Sequence, residues 1–333
     1  MFWGEITDSS GIVERFVIGD SNLQDVIKEA VGKVDRVTLK MLLKDKTTKK
    51  NIIWATNTYT ILGLDYGERE EIRPELVFGI NNGVIQSRAF KALEDQHSRT
   101  RSKAEVFTPS WVCNKMNNHC DKEWFGKPEV FNIELENAWT TVENKVTFPE
   151  GKSWQDYVES KRIEITCGEA PYIVSRYDTT TGTAIAIQDR IGLLDRKLRV
   201  VKENVETETE WNEWATKAFQ SVYGYEFQGD NLLVARINLL MTFIEYYEDA
   251  VEKKPETNLL RKIANIIVWN FWQMDGLTDT VPFGKPEQEE QTSWFDTILG
   301  GNEKNEEITP TCRIYDWKAN RSILFTDVKR SKS

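Results

Sequence analysis

The stretch RIEITCGEAPYIV, residues 162 to 174, constrains this chain more than any other. It begins as a buried strand, bends at Cys167-Gly168, and resumes with apolar residues at helical spacing. A glycine at such a bend allows close approach of the backbone to a ligand, and a helix starting there would offer unpaired N–H groups. The unit recurs downstream. SVYGYEF reads as a short strand ending at Glu226, with a long helix starting near Asp230 or Asn231. In KIANIIVWNFWQMDGLT, the run ANIIVW reads as a buried strand leading to Asp275-Gly276. Strand, glycine turn and helix in repetition predict an α/β sheet with parallel strands. Each block has a plain alternative: an ordinary glycine turn at Gly168, a solvated strand-end glutamate at Glu226, and a capped turn at Asp275.

Upstream, residues 1 to about 85 mix strand-like runs (RFVIGD, KNIIWAT) with a helix, SNLQDVIKEAVGKV, that Ser21 or Asn22 would cap. GINNGVI carries an Asn-Gly turn signal. Thr108-Pro109 predicts a helix start, with Thr as N-cap and Pro at the first helical position. Residues 126 to 162 read as loops around a short amphipathic segment. CRIYDW and SILFTDV close the chain as a pair of strands. These features divide the chain into an appended N-terminal α+β region, residues 1–100, and a main domain, residues 101–333.

Bulk composition narrows the function classes. The chain has 333 residues, 40% hydrophobic and 29% charged, which suits a globular protein with a substantial core. Its net charge of -10 argues against a free-standing DNA binder, whose affinity rests largely on phosphate neutralisation. The basic segments Arg99 to Lys103 and Lys329 to Lys332 are short enough to be simply solvated. The four cysteines read as free thiols, and CNKMNNHC lacks a CxxC pair, so no metal site is expected. No signal peptide or membrane span is visible, and a cytoplasmic location is expected.

Taken in order, and preceded by VFTP, the three blocks resemble the N6-adenine DNA methyltransferases, and more narrowly the adenine-methylase modules of restriction-modification enzymes, often called restriction endonuclease subunit M. Phe107, Thr108 and Pro109 match the element lying over the methionine part of S-adenosyl-L-methionine. Glu164, Cys167, Gly168 and the small Ala170 match the loop beneath it, although Glu169-Ala170 stands where the family has small residues ending in glycine. Glu226, with Phe227 beside it, matches the ribose-binding acid, and Asp275 the adenine-binding acid. The resemblance covers roughly residues 100 to 280. It implies a Rossmann-like methyltransferase sheet, possibly incomplete, with helices on both faces and S-adenosyl-L-methionine at the carboxyl ends of the strands.

The family's catalytic element is Asn-Pro-Pro-Tyr or Asp-Pro-Pro-Tyr. Its Asn or Asp side chain and a following carbonyl accept the hydrogens of the target adenine amino group, and the aromatic ring stacks on the flipped base. None of the nine prolines here follows Asn or Asp. The nearest substitute is Asn270, followed by Phe271 and Trp272. Three expectations follow: a cofactor-binding subunit or remnant whose partner chain carries the catalytic motif and target recognition, touching DNA only through that partner; an active divergent enzyme using Asn270; or a non-catalytic interaction protein of a restriction or mobile-element system.

Overall fold

A computed structural model describes residues 26–78, 83–87, 108–284 and 310–330, together with the backbone of two strands, β1 (Gly4–Thr7) and β2 (Val13–Phe16), which pair antiparallel. Ser21, Asn22, Phe107, Arg99 to Lys103 and the Asn-Gly turn of GINNGVI lie outside the described residues. Helices α1 (Val26–Lys33), α2 (Arg36–Met41) and α3 (Pro74–Val77) follow. Next come α4 (Ser110–Phe125), a hairpin of β3 (Asn132–Leu135) and β4 (Ala138–Thr141), and α5 (Trp154–Glu159). The α4 helix starts one residue later than the sequence suggests: Pro109, with an extended ψ of 147°, is the N-cap.

The centre is a three-stranded parallel sheet in the order β5 (Arg162–Ile165), β6 (Val222–Glu226), β7 (Phe271–Gln273). Helices α6 (Leu193–Asn204) and α7 (Glu208–Gln220) connect β5 to β6; α8 (Gly229–Val251) and α9 (Thr257–Asn270) connect β6 to β7. The protein is thus mixed α/β, with crossover helices between parallel neighbours as such connections require.

The two faces of the sheet are covered differently. Val222 and Phe271 belong to the large core that contains α6 to α9. Tyr225 and Trp272, one pleat away, pack instead with Met274, Cys312, Ile314 and Phe325. Those last three come from a C-terminal hairpin, β8 (Arg313–Asp316) with β9 (Arg321–Leu324), and the short α10 (Phe325–Arg330). The predicted closing strand pair is therefore present. Helices on both faces are not: among the described residues, the second face is covered chiefly by this hairpin. It leaves β5 open, where Ile163 and Ile165 are 46% and 63% exposed while Glu164 between them is buried.

Two predicted elements are corrected. ANIIVW is not a strand but the body of α9, burying Leu260, Ile263, Ala264, Ile267 and Val268 along one helical stripe; β7 begins only at Phe271. The segment after Gly168 is not a helix but a series of turns. Ala170 sits at φ 65°, outside the helical region. The carbonyls of Tyr172 and Ile173 accept from Leu193 N and Leu194 N at the start of α6, at 2.8 and 2.9 Å, so they cap that helix and propagate none of their own.

Residues 26–78 share this large core and are bonded to the sheet domain. The Gln273 side chain pairs with the Ile53 backbone, accepting from its N–H (2.9 Å) and donating to its carbonyl (2.8 Å). Gly229 donates to Trp54 O, and a Cβ on this glycine would lie 2.0 Å from Ile53 O, so only glycine allows the approach. The buried Arg236 guanidinium donates to the carbonyls of Leu42, Lys44 and Phe271. Burial away from a full counter-charge pushes its pKa down to about 10.

Candidate functional site

The carboxyl ends of β5, β6 and β7 lie side by side, and most of the sequence-predicted residues meet there. Gly168 donates its backbone N–H to Glu226 Oε2 at 2.9 Å, joining the first two strand tips directly. Gln228 N donates to Glu226 Oε1 at 3.1 Å. The third tip follows in register: Glu226 pairs with Gln273, and Met274 N donates to Glu226 O at 3.0 Å. Asp275-Gly276 comes next and stays close, since a Cβ on Gly276 would lie 2.9 Å from the Tyr225 hydroxyl.

The loop under this cluster has the backbone of a glycine-rich turn. Gly168 has φ 51° and Ala170 φ 65°, both left-handed. A Cβ at Gly168 would meet nothing within 4 Å, so there is open space beside the loop. Glu169 is turned inward: its Oε2 accepts from the Tyr177 hydroxyl at 2.7 Å, and Asn238 donates to the same hydroxyl at 2.9 Å. That network gives the buried acidic side chain its partners within the loop.

Glu164 is buried on the helical face of β5, and its Oε2 has no hydrogen-bond partner. Burial pushes its carboxyl well above the usual range; Glu226 adds to the rise, while the amides of Tyr172 and Ile173 oppose it. Burial likewise raises the Cys167 thiol, reinforced by Glu226 and Glu164, which favours its neutral form.

The Thr-Pro element reaches the same loop. The Thr108 carbonyl accepts from Thr179 Oγ1 at 3.1 Å. Ser110 N donates to Asp178 Oδ2 at 2.7 Å. Pro109 stands between them, half-buried. Sequence reasoning missed Asp178 and Thr179, the residues that tie the two motifs together. The only local signal for them is the turn-forming run DTTTGT.

Phe227 is half-buried with its ring 5.5 Å from that of Phe283. Asp275 caps its own turn, Oδ1 accepting from Leu277 N at 2.9 Å, which is the plain reading of that residue. Lys329 pairs with Asp279 at 2.6 Å.

Asn270 lies elsewhere. It ends α9 and precedes β7, so it sits at the amino end of the strands, opposite the cluster. Its Nδ2 donates to Phe219 O and Val222 O, both at 3.0 Å, and its Oδ1 accepts from Trp317 Nε1 at 2.9 Å. With no exposed surface and each amide atom engaged, it is a structural tie.

Among the described residues, no group of three or more His, Cys, Asp or Glu could hold a metal ion, and no helix is long and apolar enough to cross a membrane. Comparison with protein-family profiles, with curated proteins and with solved structures gave no match to the chain.

Proposed function

We propose that the chain binds S-adenosyl-L-methionine at the carboxyl ends of β5, β6 and β7, as the cofactor-binding subunit of an N6-adenine DNA methyltransferase of the restriction-modification type. The contact that carries this reading is Gly168 N to Glu226 Oε2, because it sets a left-handed glycine loop and a strand-end acid against each other on adjacent parallel strands. The residues fit the cofactor. Open space lies beside Gly168, where a Cβ would meet nothing within 4 Å, and the buried carboxyl of Glu164, whose Oε2 lacks a donor, lies four residues before it in the chain. Glu226 would take the ribose hydroxyls and Asp275 the adenine amino group. The bound cofactor would supply an electrophilic methyl group.

Catalysis on this reading comes from a partner chain, since the Asn270 amide is consumed by packing. The outer edge of β5 supports a partner. Among the described residues no strand pairs with it, and parallel strands are ordinarily covered on both faces, yet Ile163 and Ile165 are exposed. DNA contact would run through the same partner.

Calorimetry tests the reading. S-adenosyl-L-methionine should bind, adenosine should bind more weakly, and Glu226→Ala should weaken the cofactor about tenfold or more, the scale of a charge-assisted hydrogen-bond pair. No heat and no thermal stabilisation at millimolar cofactor would remove the proposal and leave the non-catalytic interaction protein in its place.

A further inference from the structure

The chain is acidic overall, with 53 acidic against 43 basic residues, yet residues 40–50 (KMLLKDKTTKK) hold five lysines and one acid. Lys44 and Asn51 bridge antiparallel, and Asp45 N donates to Lys50 O at 2.9 Å, so the segment closes into a tight turn. Its one carboxylate is turned inward: Asp45 is 3% exposed and accepts from Thr48 N and Thr48 Oγ1. Lys44, Lys49 and Lys50 are exposed, and Lys46 is half-buried. The Lys46 ammonium donates to the neutral Asn265 Oδ1 and that of Lys49 to Lys46 O; among the described residues no carboxylate pairs with any of the four. Behind the turn lies the buried Arg236, bonded to Leu42 O and Lys44 O. Burial lowers the Lys46 pKa, and the like charges of Lys49 and Arg236 lower it further.

Against this turn stand three half-buried rings. Trp269, the penultimate residue of α9, lies 5.1 Å from Tyr315 of β8, centroid to centroid, and Tyr315 lies 4.5 Å from Trp317. Tyr315 and Trp317 are two residues apart and so face the same way. The Lys46 and Lys49 ammonium groups sit 5.3 and 5.7 Å from the Trp269 centroid. Arg313 N donates to Thr47 Oγ1 at 3.0 Å, which fixes the hairpin against the turn.

We propose that this surface binds single-stranded nucleic acid, its phosphates on the lysines of the turn and its bases stacked on Tyr315 and Trp317. The combination selects the class. Lysines alone would take any polyanion, whereas aromatic faces beside them suit bases, and a duplex hides its base faces within its own stack. An acidic peptide would meet the lysines but bring no base to stack. The surface lies at the amino end of the sheet, since Trp317 Nε1 donates to Asn270 Oδ1, opposite the strand tips. It is therefore separate from any target base presented to the cofactor, and the inference does not rest on the cofactor reading.

Fluorescence anisotropy on the full chain tests this with labelled oligothymidylate and oligouridylate about twelve nucleotides long, within the range of a single-strand site, against a duplex of the same length and polyglutamate. The single strands should bind, and the duplex and polyglutamate about tenfold more weakly. A preference between the two strands names DNA or RNA as the source. Affinity should fall with salt at a log–log slope of about −2, as expected when about three phosphates are neutralised. Lys44→Glu, Lys49→Glu and Lys50→Glu together should abolish binding. Tyr315→Leu keeps an apolar side chain between the two indoles; it should weaken binding about tenfold and leave the salt slope unchanged. Circular dichroism checks the fold of each variant. Glu226→Ala should bind the strand as the wild type does, which keeps this result distinct from the fate of the cofactor site. No anisotropy change at low salt, a duplex or polyglutamate that binds as tightly as the single strands, or full affinity in Tyr315→Leu would overturn the proposal.

Discussion

The two ends of the parallel sheet are held differently. At the amino end, Asn270 ties Phe219, Val222 and Trp317, and the buried Lys197 ammonium donates to Val158 O, Ser160 O and Ser221 Oγ, while Arg162 at the start of β5 leaves Nε and Nη2 without a hydrogen-bond partner. At the carboxyl end, Glu164 leaves an oxygen without a donor, Ala170 holds an unfavourable backbone angle, and Gly168 faces open space. The ties at the amino end hold the fold; what sets the carboxyl end apart is a left-handed non-glycine residue and open space beside Gly168.

Breaking the closed end should be the most costly change. Asn270→Ala strands two carbonyls and an indole N–H in a buried site, and we expect a loss of about 3 kcal/mol in urea denaturation. S-adenosyl-L-methionine affinity per folded molecule should stay unchanged, because the amide lies opposite the strand tips. A stable Asn270→Ala variant with lost ligand binding would reverse the contrast between the two ends.

The open end should show the opposite trade. Glu164 has a folded-state pKa raised above its ordinary 4.5, so the folded chain holds this proton more tightly than the unfolded one. Its contribution to stability is full below about pH 4.5 and is lost as pH rises through the folded value. Glu164→Gln removes that titration. The wild type should lose stability relative to the variant between pH 4.5 and neutrality, and the variant should be more stable at pH 7 by about 1 kcal/mol. Binding should move the other way, with S-adenosyl-L-methionine weakened about tenfold. Parallel denaturation curves for the two proteins across this range would show that Glu164 is not a buried, reluctant carboxylate.

The same contrast explains what was legible in the sequence. Local chemistry marked the open end: Cys167-Gly168, the acid closing SVYGYEF, and Asp275-Gly276 all fall at strand tips, and Thr108 lies against the first loop. The closed end was illegible because its logic is tertiary. Asn270 looked like a reactive amide only because its partners come from α7, β6 and the C-terminal hairpin, up to 51 residues away. ANIIVW misled through its β-branched residues, which suit a strand surface but here fill the inward stripe of a helix buried among others. APYIV misled through apolar spacing alone; the left-handed Ala170 and the capping of α6 are invisible to periodicity. The pairing of Gln273 with Ile53 has no local sequence signature either.

The smallest effect is also the most diagnostic of the loop. At φ 65° the Ala170 Cβ crowds its own backbone, a conformation that costs an L-residue roughly 1–2 kcal/mol. Glycine removes that cost but adds freedom to the unfolded chain, returning about 0.5–1 kcal/mol. Ala170→Gly should therefore stabilise the protein by about 0.5 kcal/mol, the reverse of the usual result for glycine at a fully buried alanine. Because Ala170 is 0% exposed, the substitution also removes a packed methyl, so a net gain can come only from the backbone. A loss of stability in careful urea titrations would mean that the methyl contact outweighs the strain, and that the loop is held open by packing with no need of a glycine-like turn.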